Sequence, residues 1–349
     1  MLKKILFVSI FNISILYANN IDIKGQDGNM VVLKETAKRA LIFPMPFASM
    51  YVAIDNGTKN IVGVHGSSNK NLKTSFMINA YPDIKNLNTE LVQSGFTPNI
   101  EQVLALKPDV VFQWADQGDH IIEPLRKLGL PVIGVKYGTQ EYLEEWIKIM
   151  GQTTGNNDKA MQILKWHEEK KSLLNSLTSK NKTKPKIVSL QTSKDRIKIA
   201  GNGSYDNFTI ELAGGINPAK NDIQRFADIS KEQLLKYNPD IIILGTFDSH
   251  TPDDFMSQEI FKNLKAVKNK QVYKLPVGGY RWGVPHVEIP LTWLWLYQLI
   301  DGSESIHLKK EMKYAYKWLY NYDISDEEIN QILSLDINKN TKNYSKLLD

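Results

Sequence analysis

The apolar positions of this chain form short runs separated by polar stretches, and several runs lack the polar alternation of a half-exposed strand. Residues 110–112 and 241–243 are the clearest examples. Uninterrupted runs of this length are typical of parallel strands that are covered on both faces. The first half of the chain predicts further elements in the order strand 39–43, helix 50–54, strand 60–65, helix 121–128 and strand 130–135. These intervals indicate parallel βαβ crossovers.

A twelve-residue pattern occurs twice. Residues 101–112 read EQVLALKPDVVF, and residues 232–243 read EQLLKYNPDIII. Five of the twelve positions are identical. Each copy predicts a short helix, a Pro-Asp turn that cannot continue that helix, and a buried strand. Two such units predict two similar α/β lobes, and a cleft between lobes is a usual place for a small-molecule ligand.

The region between the two units predicts one long helix, from Asn157 to about Thr178. Asn157 is a residue type that can cap a helix. The apolar side chains that fit one buried stripe of this helix are Met161, Leu164, Leu174 and Leu177. Residues 309–333 predict two terminal helices, and the polar last dozen residues predict a frayed end.

The first eighteen residues have the layout of a secretory signal peptide. Lys3 and Lys4 precede an apolar run from Ile5 to Leu16, and Ala18 is a small residue at the expected cleavage point. The run is too short to cross a bilayer as a helix. We expect export and cleavage after Ala18, and the alternative is a buried N-terminal strand.

Composition and charge exclude some classes of function and some kinds of site. A chain of 349 residues is long enough for two domains. Cysteine is absent, which excludes disulfides, thiolate metal sites and lipidation of an N-terminal cysteine. The net charge of +5 comes from scattered basic residues without an arginine stripe, so nucleic-acid binding is not favoured. We expect a soluble, non-lipidated periplasmic monomer.

Several further motifs accompany the repeated units in a fixed order. They are the strand at 39–43, Pro98-Asn99-Ile100-Glu101 before the turn at 107–109, Leu128-Gly129-Leu130-Pro131-Val132, the long helix, Leu212-Ala213-Gly214-Gly215-Ile216-Asn217, and Ser230-Lys231-Glu232 before the turn at 238–240. In this order and spacing the chain resembles, from Arg39 to about Ile300, the helical-backbone family of periplasmic substrate-binding proteins. These are the soluble components of ABC importers for ferric siderophores, haem, cobalamin and related cargo.

The resemblance implies an α/β fold of two Rossmann-like lobes with parallel sheets, bridged by one long α-helix, with the ligand cleft between the lobes. One connecting helix would restrict hinge closure. The implied divisions are a signal peptide at 1–18, an N-terminal lobe at 19–154, a bridging helix and linker at 155–184, a C-terminal lobe at 185–302 and a C-terminal helical extension at 303–349.

The resemblance also implies that Glu101 and Glu232 dock the protein on an ABC permease in the inner membrane. Two exposed carboxylates on rigid helices would form a two-point contact with permease arginines. The alternative is that each glutamate only stabilises the first turn of its helix through the helix dipole.

Ligand contacts in a lobe of this type come from loops at the carboxyl ends of the strands. That rule selects residues for which packing within a lobe is the alternative role. They are Met45, Trp114, Tyr137, Tyr205 and Phe247. His65 also follows a strand, and we expect a structural role for it.

The segment from Tyr280 to Glu288 carries the densest chemistry of the chain. Arg281 can bind carboxylate, catecholate or oxyanion groups through its planar fork, and a salt bridge to Glu288 is the alternative. Trp282 and Tyr280 can cover an apolar or aromatic face of a ligand. His286 can contact the cargo or cap the helix that follows Glu288.

The cargo class stays open at this point. The six histidines are dispersed, so direct capture of a bare metal ion is not expected, and neither is a permanent cofactor. The leading prediction is an iron(III)-siderophore or another anionic metal chelate, and the alternative is molybdate or tungstate. A two-lobed α/β enzyme is the alternative of a different class. It is disfavoured because the chain has no glycine-rich phosphate loop, no Gly-x-Ser-x-Gly and no His-Glu-x-x-His.

Overall fold

A computed structural model of the chain describes residues 20–179, 184–193, 196–302 and 306–348. The predicted signal peptide at 1–18 lies outside the described residues. Within these ranges, none of the helices combines the length and the apolar content that a membrane crossing requires.

The N-terminal lobe is built on a four-stranded, fully parallel sheet with the strand order β4-β3-β7-β8. The strands of this lobe are β1 (Ile21–Lys24), β2 (Met30–Leu33), β3 (Ala40–Ile42), β4 (Ile61–Val64), β5 (Val92–Ser94), β6 (Thr97–Pro98), β7 (Val110–Trp114) and β8 (Val132–Val135). Its helices are α1 (Phe47–Asp55), α2 (Gly66–Lys73), α3 (Met77–Ala80), α4 (Ile100–Ala105), α5 (Asp119–Lys127) and α6 (Gln140–Thr154). All five residues of β7 are buried, including the predicted apolar run 110–112 and the polar Gln113.

The long helix α7 (Asn157–Thr178) has the predicted bounds and packs against α6. The N-cap position is Asn156, and its side chain makes no capping hydrogen bond. The predicted stripe is wrong at Met161, which is 59% exposed. The buried face instead follows Ala160, Ile163 and Trp166, because a small residue and two large ones fit the space beside α6 and the C-terminal helices.

The C-terminal lobe has a five-stranded sheet with the order β11-β10-β9-β12-β13. Its strands are β9 (Ile187–Ser193), β10 (Arg196–Ala200), β11 (Phe226–Ile229), β12 (Ile241–Leu244) and β13 (Val272–Lys274). Its helices are α8 (Tyr205–Leu212), α9 (Lys231–Tyr237), α10 (Pro252–Met256), α11 (Lys265–Lys268) and α12 (Ile289–Asp301). The strands β9, β12 and β13 are parallel, but β10 is antiparallel to both neighbours, so this sheet is mixed. The connection between β9 and β10 is too short for a parallel crossover.

The two repeated units have the same local geometry. Asn99 and Ser230 accept a hydrogen bond from the backbone N–H three residues further on, and thus cap α4 and α9. Lys107 and Asn238 occupy equivalent positions and share the left-handed conformation, with φ of 45° and 44°. The sequence repeat therefore corresponds to a repeat of helix cap, turn and strand.

The aspartate of each repeated unit binds the start of the first sheet strand of its own lobe. The Asp109 carboxylate accepts hydrogen bonds from the backbone nitrogens of Lys38 and Arg39 at 2.7 and 2.9 Å. The Asp240 carboxylate accepts one from the backbone nitrogen of Lys186 at 2.8 Å. The Pro-Asp turn thus joins two neighbouring strands as well as ending a helix.

The residues that follow the C-terminal lobe form a second connection between the lobes. They fold into α13 (Leu308–Tyr320), α14 (Asp326–Ile332), α15 (Leu335–Asn338) and a 3₁₀ turn (Tyr344–Leu348). Helix α13 packs against α12 of one lobe and α1 of the other. The Phe76 ring of the N-terminal lobe lies 4.7 Å from the Tyr316 ring, and the Tyr81 hydroxyl donates to the Tyr320 carbonyl at 2.6 Å.

The prediction of a frayed C-terminal end is wrong. Tyr344 and Leu347 are 1% and 2% exposed. The Tyr344 hydroxyl donates to the Leu333 carbonyl at 2.6 Å and accepts from the Trp295 indole N–H at 3.1 Å. Two apolar side chains spaced by three residues are enough to anchor this polar segment.

Candidate functional site

A cavity of about 140 Å³ lies where the N-terminal lobe meets the carboxyl ends of β9 and β12. Tyr137, after β8, forms its wall on the N-terminal side. The C-terminal lobe contributes Ser189, Gln191, Lys198, Asp206, Thr246 and Phe247 among other residues. The position is the one predicted for ligand contacts in a parallel α/β lobe.

Arg281 lies against two wall residues of this cavity. Its Nη1 donates to the Thr246 carbonyl at 2.9 Å, and its guanidinium lies 3.9 Å from the centroid of the Phe247 ring. Burial lowers the pKa of Arg281, although an arginine remains charged at neutral pH. The alternative of a salt bridge to Glu288 is wrong, because the Glu288 carboxylate accepts its hydrogen bonds from other groups. Arg281 is thus a partly desolvated cation without an ion-pair partner in the described part of the chain.

One further cation lines the cavity and another lies next to Gly138, the residue after Tyr137, and the sequence reasoning missed both. Lys198 of β10 lines the cavity, with its Nζ 5.3 Å from the centroid of the Phe226 ring. Arg225 faces the N-terminal lobe: its Nη2 lies 3.3 Å from the point that a Cβ on Gly138 would occupy. Neither cation forms an ion pair within the described ranges.

Asp206 is the acidic side chain of the cavity wall. It stands in the first turn of α8, and the Ser189 hydroxyl donates to it at 2.5 Å. Burial raises the pKa of Asp206, and the hydrogen bond from Ser189 opposes that shift. Lys198 and Asp206 both line the cavity, and Arg281 contacts two of its wall residues, so cations outnumber carboxylates at this site.

Tyr137 is the aromatic wall residue of the N-terminal lobe, and Trp114 packs against it. Their ring centroids are 5.9 Å apart at an interplanar angle of 85°. Burial raises the pKa of Tyr137, so its hydroxyl is protonated at neutral pH. Trp114 is 3% exposed and lies behind Tyr137.

Met45, Tyr205 and His65 have other contacts. The Tyr205 hydroxyl donates to the Gln140 side chain at 2.7 Å, which makes it a contact between the two lobes. Met45 is half-buried, and its carbonyl accepts from the Ser68 hydroxyl at 2.9 Å. The structural role expected for His65 is confirmed, since its Nδ1 accepts from the backbone N–H two residues on and caps α2.

Tyr280, Trp282 and His286 lie in the interior, although they flank Arg281 in sequence. Trp282 and His286 are fully buried, and Tyr280 is 3% exposed. The Trp282 indole N–H donates to Glu288 at 3.1 Å, and Nδ1 of His286 lies 2.8 Å from the Val284 carbonyl oxygen. Within this segment, Arg281 is the predicted residue that reaches the cavity wall.

Glu101 and Glu232 are exposed in the first turns of α4 and α9. Each helix precedes a parallel strand and runs antiparallel to it, so its first turn lies on the same side of the lobe as the strand's carboxyl end. Both glutamates therefore stand on the side of the molecule that carries the cavity. Hydrogen bonds at the helix start lower the pKa of Glu232, first from its own backbone and then from Ser230.

No group of three or more His, Cys, Asp or Glu side chains converges as a metal site in the described part of the chain.

Comparisons with known proteins agree with the two-lobed α/β fold. A family model described as a periplasmic binding protein matches residues 50–277. A solved periplasmic solute-binding protein from Veillonella parvula is 35% identical, with a TM-score of 0.84 over 92% of this chain and 99% of that one.

Two curated relatives carry named cargoes. The molybdate-binding protein MolA of Haemophilus influenzae is 23% identical over 321 residues, which are 85% of this chain and 90% of MolA. The iron(3+)-hydroxamate-binding protein FhuD of Bacillus subtilis is 28% identical over 269 residues, which are 74% of this chain and 79% of FhuD.

Proposed function

The chain belongs to the periplasmic binding protein family, and from that premise we propose that it captures an anionic, metal-containing small molecule and delivers it to the permease of an ABC importer. The observation that carries the proposal is a pair of half-buried cations at the cavity between the lobes, Lys198 in its lining and Arg281 against its wall. A half-buried cation without a counter-ion is costly, and an anionic ligand would supply the missing charge. Arg225, which is exposed, lies beside Gly138 and adds positive charge near the N-terminal wall.

The first candidate cargo is an anionic iron(III) chelate with carboxylate or catecholate ligands. Cations on both β10 and the loop after β13 suit a ligand whose negative charge is spread over several oxygens. The exposed ring of Phe247 and the ring of Tyr137 would cover the organic faces of such a chelate. FhuD provides a relative whose name carries an iron(III) chelate as cargo.

The second candidate cargo is a tetrahedral oxyanion such as molybdate or tungstate. The observation that favours it is the small cavity, about 140 Å³, whereas pockets for drug-sized ligands measure roughly 300–1,000 Å³. The Arg281 guanidinium and the hydroxyl of Thr246 are donors of the type that an oxyanion requires. MolA provides a relative whose name carries this cargo.

Delivery would use Glu101 and Glu232 as a two-point contact with arginines of the permease. Their exposure on the cavity side of two rigid helices supports this role. The proposal also includes export by the signal peptide at 1–18 and action in the periplasm as a monomer without a lipid anchor. Binding without turnover separates this function from that of an enzyme.

A tryptophan-fluorescence titration with two anionic probes, a ferric catecholate siderophore and molybdate, tests the proposal. Trp114 lies directly behind Tyr137 and would report on occupation of the cavity. A saturable change with the siderophore alone supports the first candidate, and a change with molybdate alone supports the second. The variant W114F should keep the affinity and lose most of the signal. Absence of binding for both probes, checked by calorimetry, would contradict the proposed cargo class.

A further inference from the structure

One carboxylate in the interior of the molecule is surrounded by hydrogen-bond donors from two separate segments. Glu288 is fully buried. Its Oε1 accepts from the Gly279 backbone N–H at 2.9 Å and from the Tyr320 hydroxyl at 2.5 Å. Its Oε2 accepts from the Trp282 indole N–H at 3.1 Å and from the Tyr316 hydroxyl at 2.8 Å. Two donors belong to the loop of Arg281, and two belong to helix α13 of the C-terminal extension.

The charge of Glu288 is stabilised without an arginine or lysine partner. Burial alone would raise the pKa of Glu288, but the approach of His286, at 3.6 Å, and the tyrosine hydroxyls outweigh it and lower the pKa. Burial raises the pKa of Tyr316 and Tyr320, so both hydroxyls remain donors. Glu288 also directly precedes α12, where the helix dipole favours a negative charge.

The two glycines before Tyr280 permit this close arrangement. A Cβ on Gly278 would lie 2.1 Å from the Glu288 Oε2 and 2.4 Å from the Tyr316 hydroxyl. A Cβ on Gly279 would lie 2.5 Å from the Glu288 Oε1. The backbone therefore passes directly over the carboxylate, which residues with larger side chains would prevent.

Two residues that donate hydrogen bonds to Glu288 lie on either side of Arg281 in the sequence. Gly279 lies two residues before Arg281, and Trp282 follows it directly. Within the loop, the Trp282 backbone N–H donates to the Pro276 carbonyl at 3.2 Å and the Val284 backbone N–H donates to the Arg281 carbonyl at 3.1 Å. The loop is thus folded by its own backbone bonds and fixed to α12 and α13 through Glu288.

We propose that Glu288 is a positioning residue for cargo binding, which holds the loop of Arg281 against the C-terminal extension and so aims the guanidinium at the cavity. The C-terminal extension is then part of the binding apparatus, because Tyr316 and Tyr320 supply half of the hydrogen bonds to the carboxylate. The role in cargo binding rests on the proposed function, whereas the fixing of the loop does not.

The test compares Y316F and Y320F, alone and combined, with Y344F. Each change removes one buried hydroxyl and leaves the ring in place. Tyr344 is the matched control, because its hydroxyl is also buried in the extension but bonds to Leu333 and Trp295 and not to Glu288. E288Q is a further variant, which keeps the size of the side chain and removes its charge.

Amide hydrogen exchange of residues 278–286, measured without cargo, is the first readout. We expect exchange about tenfold faster in the double variant and unchanged in Y344F, since loss of fixing contacts lowers the free energy of local opening. The second readout is the Kd for the siderophore or molybdate, which should rise about tenfold in the double variant at a melting temperature similar to that of Y344F.

Each outcome decides one part of the inference. Unchanged loop exchange in the double variant and in E288Q would overturn the fixing of the loop. Faster exchange with an unchanged Kd would overturn the positioning role in cargo binding. If neither probe binds the wild-type protein, the proposed cargo class fails, and the exchange result still decides whether Glu288 fixes the loop.

Discussion

At the scale of single residues, the charges around the cavity are unbalanced. Lys198 and Asp206 line the cavity, Arg281 contacts its wall and Arg225 lies beside Gly138, and burial raises the pKa of Asp206. Arg281 contacts a carbonyl and an aromatic ring instead of an acidic side chain. A site built in this way gains most from a ligand that brings negative charge and accepts several hydrogen bonds.

Asp206 gives a prediction on the pH dependence of stability. Its pKa is raised from 3.8 in the folded state because burial disfavours the charged form. The contribution of Asp206 to the free energy of unfolding is therefore greatest when the pH is below the pKa of Asp206 in the unfolded chain. This contribution is lost as the pH rises through the pKa of Asp206 in the folded protein. The substitution D206N removes this loss, so the melting temperature of D206N should increase relative to that of wild type as the pH rises above about 4.

Thermal melts of wild type, D206N and S189A across that pH range check the prediction. S189A removes a hydrogen bond that favours the charged carboxylate, so its melting temperature should fall with pH more steeply than that of wild type. A difference between wild type and D206N that stays constant with pH would contradict the raised pKa.

At the scale of helices and strands, the repeated Pro-Asp turns do the same structural work in both lobes. Asp109 accepts hydrogen bonds from the backbone nitrogens of the two residues that precede β3, and Asp240 accepts one from the residue that precedes β9. These bonds hold the start of one parallel strand to the start of its neighbour. The different numbers of hydrogen bonds therefore predict different losses of stability when the two aspartates are replaced.

The substitution D109A should destabilise the protein more than D240A. A hydrogen bond to a charged group contributes about 1.5–3 kcal/mol, so we expect a loss of roughly 3 kcal/mol for D109A and about half of that for D240A. Urea unfolding followed by circular dichroism measures both values. Equal effects of the two substitutions would show that the extra bond of Asp109 adds no stability.

The element pattern was largely predictable from sequence because buried parallel strands and capped helices leave local signals. The strand at β7, the bounds of α7 and the repeated helix-turn-strand units all follow from apolar runs and turn residues. The antiparallel β10 was not predicted, since a polar, alternating strand such as Arg196–Ala200 resembles a loop in an α/β sequence. The buried C-terminal end was missed because its anchor depends on Trp295, 49 residues away.

The candidate site was predictable only in part. Arg281 stands in a glycine- and proline-bounded segment and was found from that context. Arg225 lies in a polar stretch, and its backbone is left-handed, with φ of 56°. Arginine rarely adopts this conformation, so the sequence does not indicate it. Trp282 and His286 could not be separated from Arg281 by sequence, because their burial depends on Glu288 and on tyrosines about thirty residues further along the chain.

At the scale of the whole molecule, two connections join the lobes where one was expected. Helix α7 is the first, and the C-terminal extension is the second, with α13 packed between α1 and α12. One continuous core includes Phe47 of the N-terminal lobe, Trp293 of α12 and Tyr316 of the extension. We expect this arrangement to restrict the relative movement of the lobes, so that cargo enters a largely preformed cleft.

The proposed contact of Glu101 and Glu232 with the permease gives a prediction for transport. Charge reversal in E101K/E232K should leave the Kd for cargo unchanged and impair uptake, because both side chains are exposed and lie outside the cavity wall. Uptake assays in cells and calorimetry on the purified variant measure the two effects separately. Normal uptake by the double variant would leave the glutamates with the helix-dipole role alone.

The central claim, that a cationic cleft captures an anionic cargo, is tested most directly by calorimetric titration of R281A against R196A with the siderophore or oxyanion that binds wild type. Arg196 is the matched control, since it lies in the same lobe, is exposed and is paired with Asp228 at 2.7 Å. We predict that R281A weakens binding by about 10- to 100-fold with an unchanged melting temperature, whereas R196A binds like wild type. An R281A affinity equal to that of wild type would contradict the account.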